Sequence, residues 1–354
     1  MEVFRCPQNP IIKPDDIKPS REDFEVIGVF NPAVARFDNE VILLLRVAER
    51  PVSNKPGTVL AAVYDTAKAQ VVLKEFSRKD STVDFSDPRL IITPSQTYLT
   101  SISHLRLARS TDGIHFDIDD CPAIFPGSDY ESFGIEDARI TAVDSTYYIS
   151  YVGVSAFGIT TCLISTRDFK FFSRQGVIFC PDNKDVVIFP GRVRGNYYAL
   201  HRPVSSLFKK HDIWISQSSD LVHWGNHRYL MGLRAKMWDE MKIGAGAVPF
   251  RIEDGWLEIY HGADQNNRYC LGALLLDADE PSKVLARSKV PILEPEAEYE
   301  QKGFFGNVVF SCGLLAEEEK LKIYYGAADA TVCYAEIPLK DCLRTLDFSK
   351  ADSH

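Results

Sequence analysis

The stretch ESFGIEDARI, residues 131–140, sets adjacent carboxylates, Glu136 and Asp137, two residues ahead of Arg139. A carboxyl placed beside a cation can donate a proton to a departing oxygen, bind a hydroxyl, or sit in a solvated turn. Other ionisable or amide groups recur at the ends of apolar runs. They are Asn31, Arg46 and Glu49, then Asp87 and Arg89, then Lys184 and Asp185, and His201 and Arg202. Lys242 follows, and last come Tyr260, His261 and Asp264. Each alone reads as ordinary, since an Asp ahead of a strand caps a turn and a lone His packs in a core. Their recurrence at one point of successive repeats makes them a set, and Phe133, Phe189, Tyr260, Phe304 and Phe305 nearby suit a sugar ring. The chemistry expected is that of a polar ligand site.

The elements that must position these groups are strands. Short runs rich in Val, Ile, Tyr and Phe alternate with turn residues, and few segments carry a helical period. A first hairpin recurs at 30–49, 135–154, 186–203, 244–262 and 306–326, with Asp38-Asn39, Arg194-Gly195 and Asp254-Gly255 at turns. A second hairpin follows most of these. LARSTDGIHFD, LISTRDFKFFS and ISQSSDLVHWG place Asp112, Asp168 and Asp220 56 and 52 residues apart, each ahead of an aromatic residue. Two hairpins per period of about 50 residues make a four-stranded blade repeated around an axis, so the chain is read as an all-β propeller. The region 84–104 is a sixth blade or an insertion into the first, and an extra hairpin at 58–77 favours insertion. The segment NPIIKP near the start resembles VPILEP (290–295) and is expected to supply the outer strand of the last blade. LKDCLRTLDF is expected to be a short C-terminal helix, and residues 1–354 to form one domain.

Composition excludes several functions. With 45% hydrophobic and 25% charged residues, the chain has enough apolar content for a core. A formal charge of −9 without a basic run argues against nucleic acid or an anionic membrane as partner. No signal peptide and no apolar run long enough to span a bilayer are read. The eight cysteines include no C-x-x-C pair and several lie in apolar runs, so reduced thiols in a cytoplasmic protein are expected.

The ordered motifs FNPAV, LLLRVAE, GIEDARIT, NKDVVIFP, YYALHRP, KIGAGAVP, WLEIYHGAD, PILEPEAEYE and YYGAAD resemble glycoside hydrolase family 130, the mannoside phosphorylases and related β-mannosidases. The resemblance covers nearly the whole chain. It implies a five-bladed propeller with an elaborated first blade. It puts the general acid, the aspartate of G-x-E-D-x-R, on Asp137, although Ala138 stands where the family usually has proline. The chain looks like the branch acting on β-1,2-linked mannose, such as mannobiose or oligomannan. Family members often associate, which leaves a homo-oligomer open.

Inverting cleavage needs an acid for the leaving oxygen and a nucleophile on the opposite face of the sugar. A hydrolase adds a second carboxylate about 6.5–9.5 Å away to activate water. A phosphorylase needs a cationic cradle instead. Arg139, His201, Arg202 and His261 are assigned to phosphate. Asn31, Arg46, Asp87, Arg89, Glu136, Lys184, Asp185, Tyr260, Asp264 and Phe305 are assigned to the sugar. This basic surplus in an acidic chain favours phosphorolysis, giving α-mannose 1-phosphate with inorganic phosphate as co-substrate and no metal or cofactor. Glu49, Asp185 and Asp264 keep a hydrolase as the alternative, and a non-catalytic glycan-binding propeller is the least favoured. Asp137 is expected to need a raised pKa or a shared proton, with Glu136 either contributing by repulsion or facing the other side of the strand to bond a sugar hydroxyl. The resemblance also implies that its proton passes through a hydroxyl of the mannose being transferred.

Overall fold

The computed structural model describes residues 2–205, 207–208 and 210–349. Five antiparallel sheets follow one another along the chain. Blade I comprises Phe24–Phe37, Glu40–Pro51, Ile102–Ser110 and Asp117–Ile118. Blade II is built from Ile135–Val143, Thr146–Ser155, Gly158–Thr166 and Ser173–Phe179. Asn183–Ile188, Tyr197–Pro203, Ile213–Ser218 and Gly225–Met231 form blade III. In blade IV the innermost strand is split into Lys242–Ala245 and Phe250–Ile252, followed by Gly255–Ala263, Tyr269–Leu276 and Val284–Ser288. Blade V holds Val309–Glu317, Lys320–Ala327 and Thr331–Pro338. No helix among the described residues is long and apolar enough to cross a membrane.

The hydrophobic core is distributed over the five seams between blades. Ile42, Leu44, Ile135 and Ile149 fill the seam I–II, Leu163 and Ile188 the seam II–III, and Leu200 and Leu274 the seam III–IV. Leu257 and Ile323 fill IV–V, and Leu43 and Tyr324 close V–I. Each blade is therefore covered on both faces. This explains why VILLL is buried throughout instead of alternating with polar residues.

The outer hairpins share one turn. Asp112, Asp168 and Asp220 each accept from the backbone N–H groups two and three residues on. Ser110, Thr166 and Ser218 accept from Gly113, Phe169 and Leu221, all three with positive φ (78°, 52° and 71°). Burial of Phe169 and Leu221 in the seams holds them in a conformation that side chains otherwise avoid.

The region between the second and third strands of blade I is an insertion, with hairpins Thr58–Asp65/Gln70–Ser77 and Leu90–Ile92/Thr97–Leu99. Two expectations need correction. The outer strand of blade V is Phe4–Arg5, paired with Ala335 and Glu336, while NPIIKP contributes one bridge, Ile12 to Val332. Pro10 and Pro14 lack the N–H that a continuous ladder needs. LKDCLRTLDF is helical only over Leu339–Leu343. Thr345 closes that helix by donating its hydroxyl to the Cys342 carbonyl, and Leu346–Asp347 then adds a strand to blade IV.

Candidate active site

The innermost strands of blades I, II and III carry a bulge at one place. Pairing slips between Phe30 and Ala33, between Glu136 and Arg139, and between Lys184 and Val187. The first residue of each bulge is Asn31, Asp137 or Asp185, at φ 48°, 47° and 55°. Asn and Asp tolerate this left-handed conformation, and a bulge re-aims a side chain, so the sequence chose residue types that do both. All three side chains line a cavity of about 420 Å³ at the mouth of the ring. Blade IV has Gly244 here, where a Cβ would collide with the side chains of Asp185 and His261.

Asp137 is buried and held from two sides. Asn31 Nδ2 donates to its Oδ1 at 2.9 Å and Arg46 Nη1 at 3.0 Å, while Arg46 Nη2 reaches Glu136 at 2.7 Å. Burial pushes the Asp137 carboxyl up, but the charges of Arg46, Lys184 and Arg139 outweigh it and hold the group below its ordinary range. The carboxyl is therefore held low, not raised as expected. Of the carboxyls lining the cavity it is Asp329 that is raised, to about 6, because burial and the nearby charges of Asp137 and Glu136 oppose its ionisation more than Arg46 and Lys184 favour it.

The same cavity is lined by the cations Lys184, Arg202 and Lys242, with His261 beside them. Asp185 sits among them, 2.8 Å from Arg202 Nη2 and 3.4 Å from His261 Nε2. Burial opposes its charge, yet Arg202 and His261 hold its pKa well below the usual range. Lys242 donates to the Tyr269 hydroxyl at 2.9 Å, and burial with the charge of Arg202 lowers its pKa. Burial brings His261 down to about 4 despite Asp185, so it is neutral at pH 7.

Of the residues singled out from sequence, Asn31, Arg46, Arg89, Asp137, Lys184, Asp185, Arg202, Lys242, His261 and Phe305 line the cavity, and Glu136 lines an adjoining chamber. Six others are placed elsewhere. Arg139 is buried beneath the cavity and donates to the carbonyls of Asp137, Ala245 and Gly246, tying blades II and IV together. His201 points to the other face of its strand from Arg202 and packs on Phe179 at 4.7 Å. Burial and then His227 push it down to about 3, leaving it no charge for an anion. Tyr260 likewise turns away from its neighbour His261 and donates to Asp239 at 2.8 Å beneath Trp238. Asp264 caps its own turn through the N–H groups of Asn266 and Arg268, and Asp87 pairs with Arg89 at 2.7 Å outside the cavity. Glu49 is enclosed in blade I with Ser20 and His104.

Asn267, Tyr269, Val308, Phe310 and Asp329 complete the lining and were not singled out. Asn267 and Asp329 lie on the connections between second and third strands, which open at the same mouth. YYGAAD, ending in Asp329, was the available signal.

Residues 89–348 match the family model described as β-1,4-mannooligosaccharide phosphorylase. The chain is 47% identical over 351 residues to a β-1,2-mannobiose phosphorylase of Listeria innocua, covering 98% of this chain and 99% of that one. It is 40% identical over 256 residues to a 1,2-β-oligomannan phosphorylase of Thermoanaerobacter sp., covering 71% and 83%. A solved structure of the Listeria innocua enzyme with β-1,2-mannobiose superposes with a TM-score of 0.94 over 98% of this chain and 99% of that chain. On this match of sequence and fold, the chain belongs to glycoside hydrolase family 130.

Proposed function

We propose that the protein is an inverting phosphorylase that cleaves β-1,2-linked mannosides to α-mannose 1-phosphate. The observation that carries this is that the cations Lys184, Arg202 and Lys242 line the same cavity as the buried carboxyl of Asp137. Arg forks and ammonium groups match phosphate oxygens. Asp185 is neutralised by Arg202 and is a poor base for activating water, and Glu49 and Asp264 do not line the cavity. The β-1,2 linkage is taken from the two relatives, whose similarity exceeds what the β-1,4 description of the family model conveys.

In this reading a phosphate oxygen bonds to C1 of the terminal mannosyl unit as the bond from C1 to the glycosidic oxygen breaks. Asp137 gives up the proton that the departing oxygen takes, directly or relayed through a mannose hydroxyl. Phosphate supplies negative charge beside Lys184 and so offsets part of the field that keeps Asp137 ionised. Binding the nucleophile thereby prepares the acid. Asn31, Arg46 and Asp329 hold the transferred sugar.

A panel of β-mannosides incubated with and without phosphate tests the reading. The expected result is phosphate-dependent formation of α-mannose 1-phosphate from β-1,2-mannobiose. Release of free mannose at full rate without phosphate would make the enzyme a hydrolase, and no turnover of any panel member would leave only glycan binding.

A further inference from the structure

The innermost strand of blade IV is interrupted just beyond Gly244. Ala245 pairs with Tyr260, and the ladder resumes only at Phe250, opposite Leu257. Residues 246–249 therefore lie against Glu258 and Ile259 alone. Such a break leaves main-chain groups in need of other partners. Ala247 donates to the Ile259 carbonyl, and Gly246 is left to side chains. Its N–H is taken by Glu258, whose Oε1 accepts it at 2.9 Å. Its carbonyl is taken by Arg139, whose Nε donates at 3.1 Å. The same guanidinium donates to the carbonyls of Ala245 at 3.0 Å and Asp137 at 2.8 Å. A Cβ at Gly246 would strike the Ile259 and Ser311 carbonyls, so this peptide is hemmed in as well as bonded.

Glu258 itself is wholly buried. Among the described residues its Oε2 has no hydrogen-bond partner, and neither oxygen is ion-paired. A carboxylate in that setting is a bare buried charge, so the protonated form is favoured. Burial outweighs the Gly246 N–H and the charge of Arg139, and the carboxyl is held well above its usual range. A neutral Glu258 leaves Arg139 its charge. The ion pair of Arg139 with Asp185 is 3.5 Å long, and Arg202 holds Asp185 more closely, at 2.8 Å. The field of Arg139 reaches the site, since it is among the charges that hold Asp137 low.

We propose that Glu258 is a positioning residue, which through Gly246 and Arg139 fixes the acid-bearing bulge of blade II against the blade IV strand that carries Lys242. The inference rests on the phosphorolytic reading and adds what sets the spacing between the acid and the phosphate cations. Each link is a hydrogen bond to a main-chain group, from Glu258 to Gly246, Gly246 to Arg139, and Arg139 to Asp137. Lys242 stands on the strand that ends just before Gly246, and it lines the cavity with Asp137. Glu258 does this as a neutral acid. Ionised, it would cancel the charge that Arg139 holds beneath the cavity, where positive potential favours an anion. Asn31, Arg46 and Asp329, which hold the transferred sugar, are carried by blades I and V and are not links of this chain.

Glu258→Gln and Glu258→Leu test this with mannobiose and inorganic phosphate. Gln keeps a neutral side chain with an acceptor for Gly246, whereas Leu offers none. Glu258→Leu is expected to lower kcat about tenfold or more and to raise the phosphate KM about threefold or more, with the mannobiose KM within about twofold. Glu258→Gln is expected to keep all three within about twofold of wild type. Infrared difference spectra of wild type against Glu258→Gln are expected to show a protonated carboxyl band at neutral pH. If Glu258→Leu does not fold, Glu258→Asp, one methylene short of Gly246, replaces it under the same criteria. Wild-type kcat and phosphate KM in folded Glu258→Leu, or a mannobiose KM that rises as far as the phosphate KM, would overturn the positioning role. Glu258→Gln as impaired as Glu258→Leu, or a missing carboxyl band, would overturn the neutral form. Wild type without phosphate-dependent activity defeats the functional reading and this proposal with it, whereas active wild type with an unaltered Glu258→Leu defeats the proposal alone.

Discussion

Arg46 lies between two carboxylates, with Nη1 3.0 Å from Asp137 Oδ1 and Nη2 2.7 Å from Glu136 Oε1. The two carboxylates are sequence neighbours, yet Asp137 lines the main cavity and Glu136 the second chamber. One guanidinium thus fixes the acid candidate and a sugar-binding candidate with respect to each other.

Asp137→Asn removes the proton that the leaving oxygen needs while keeping the shape that Asn31 and Arg46 enclose. Phosphorolysis of mannobiose is expected to fall by about 10²–10⁴-fold with little change in thermal stability. A near-normal rate would take the acid role away from Asp137.

Lys184→Met tests the cationic wall in two ways. Loss of one charge-assisted contact is expected to raise the phosphate KM about tenfold or more. Lys184 is also among the charges that hold Asp137 low. Without it the carboxylate is less favoured, the Asp137 pKa rises, and the protonated acid persists to higher pH. The alkaline limb of the pH–rate profile should therefore move upward, which initial rates across a buffer series would show.

Asp329 allows a stability prediction with a definite sign. Its folded pKa of about 6 stands above the ordinary 3.8, so the folded protein binds this proton more tightly than the unfolded chain does. Stability from this group is greatest below the unfolded value, declines as pH rises toward 6, and above that the buried charge is a full penalty. Asp329→Asn is expected to raise Tm at pH 7.5, to leave it nearly unchanged at pH 4, and to lower activity. Equal Tm changes at both pH values would contradict the buried-charge origin.

Tyr260→Phe distinguishes scaffold from site. The Tyr260 hydroxyl donates to Asp239 and accepts from Arg287 at 3.0 Å. Its loss is expected to cost about 1–3 kcal/mol in chemical denaturation and to leave KM for phosphate and mannobiose unchanged. A selective KM change would return Tyr260 to the site.

Much of this was legible in the sequence because seam burial writes long apolar runs and the shared Asx turns punctuate them. The bulge residues could also be found, since Asn31, Asp137 and Asp185 interrupt those runs with polar types. What could not be read was which of two neighbours faces the cavity. In His201-Arg202 and Tyr260-His261 the period of two means that one side chain points in and the other is packed against the scaffold. A bulge in the partner strand resets the parity, so counting along the sequence does not decide it. Asp329 and Asn267 were missed for a different reason. They lie on turns, where Asp and Asn are commonplace, and only closure of the ring brings those turns to the mouth.

The pairing of Phe4–Arg5 with Ala335 and Glu336 has a consequence for biosynthesis. At translation speeds of about 5–20 residues per second, the strand that finishes the last sheet leaves the ribosome on the order of tens of seconds before its neighbour exists. Throughout that interval the nascent chain carries an unmatched β-edge segment, Phe4 included, and the Thr331–Pro338 edge is in turn open until that segment returns. Closure of the ring thus waits until Thr331–Pro338 has been made, and until then pairing with other molecules competes with it.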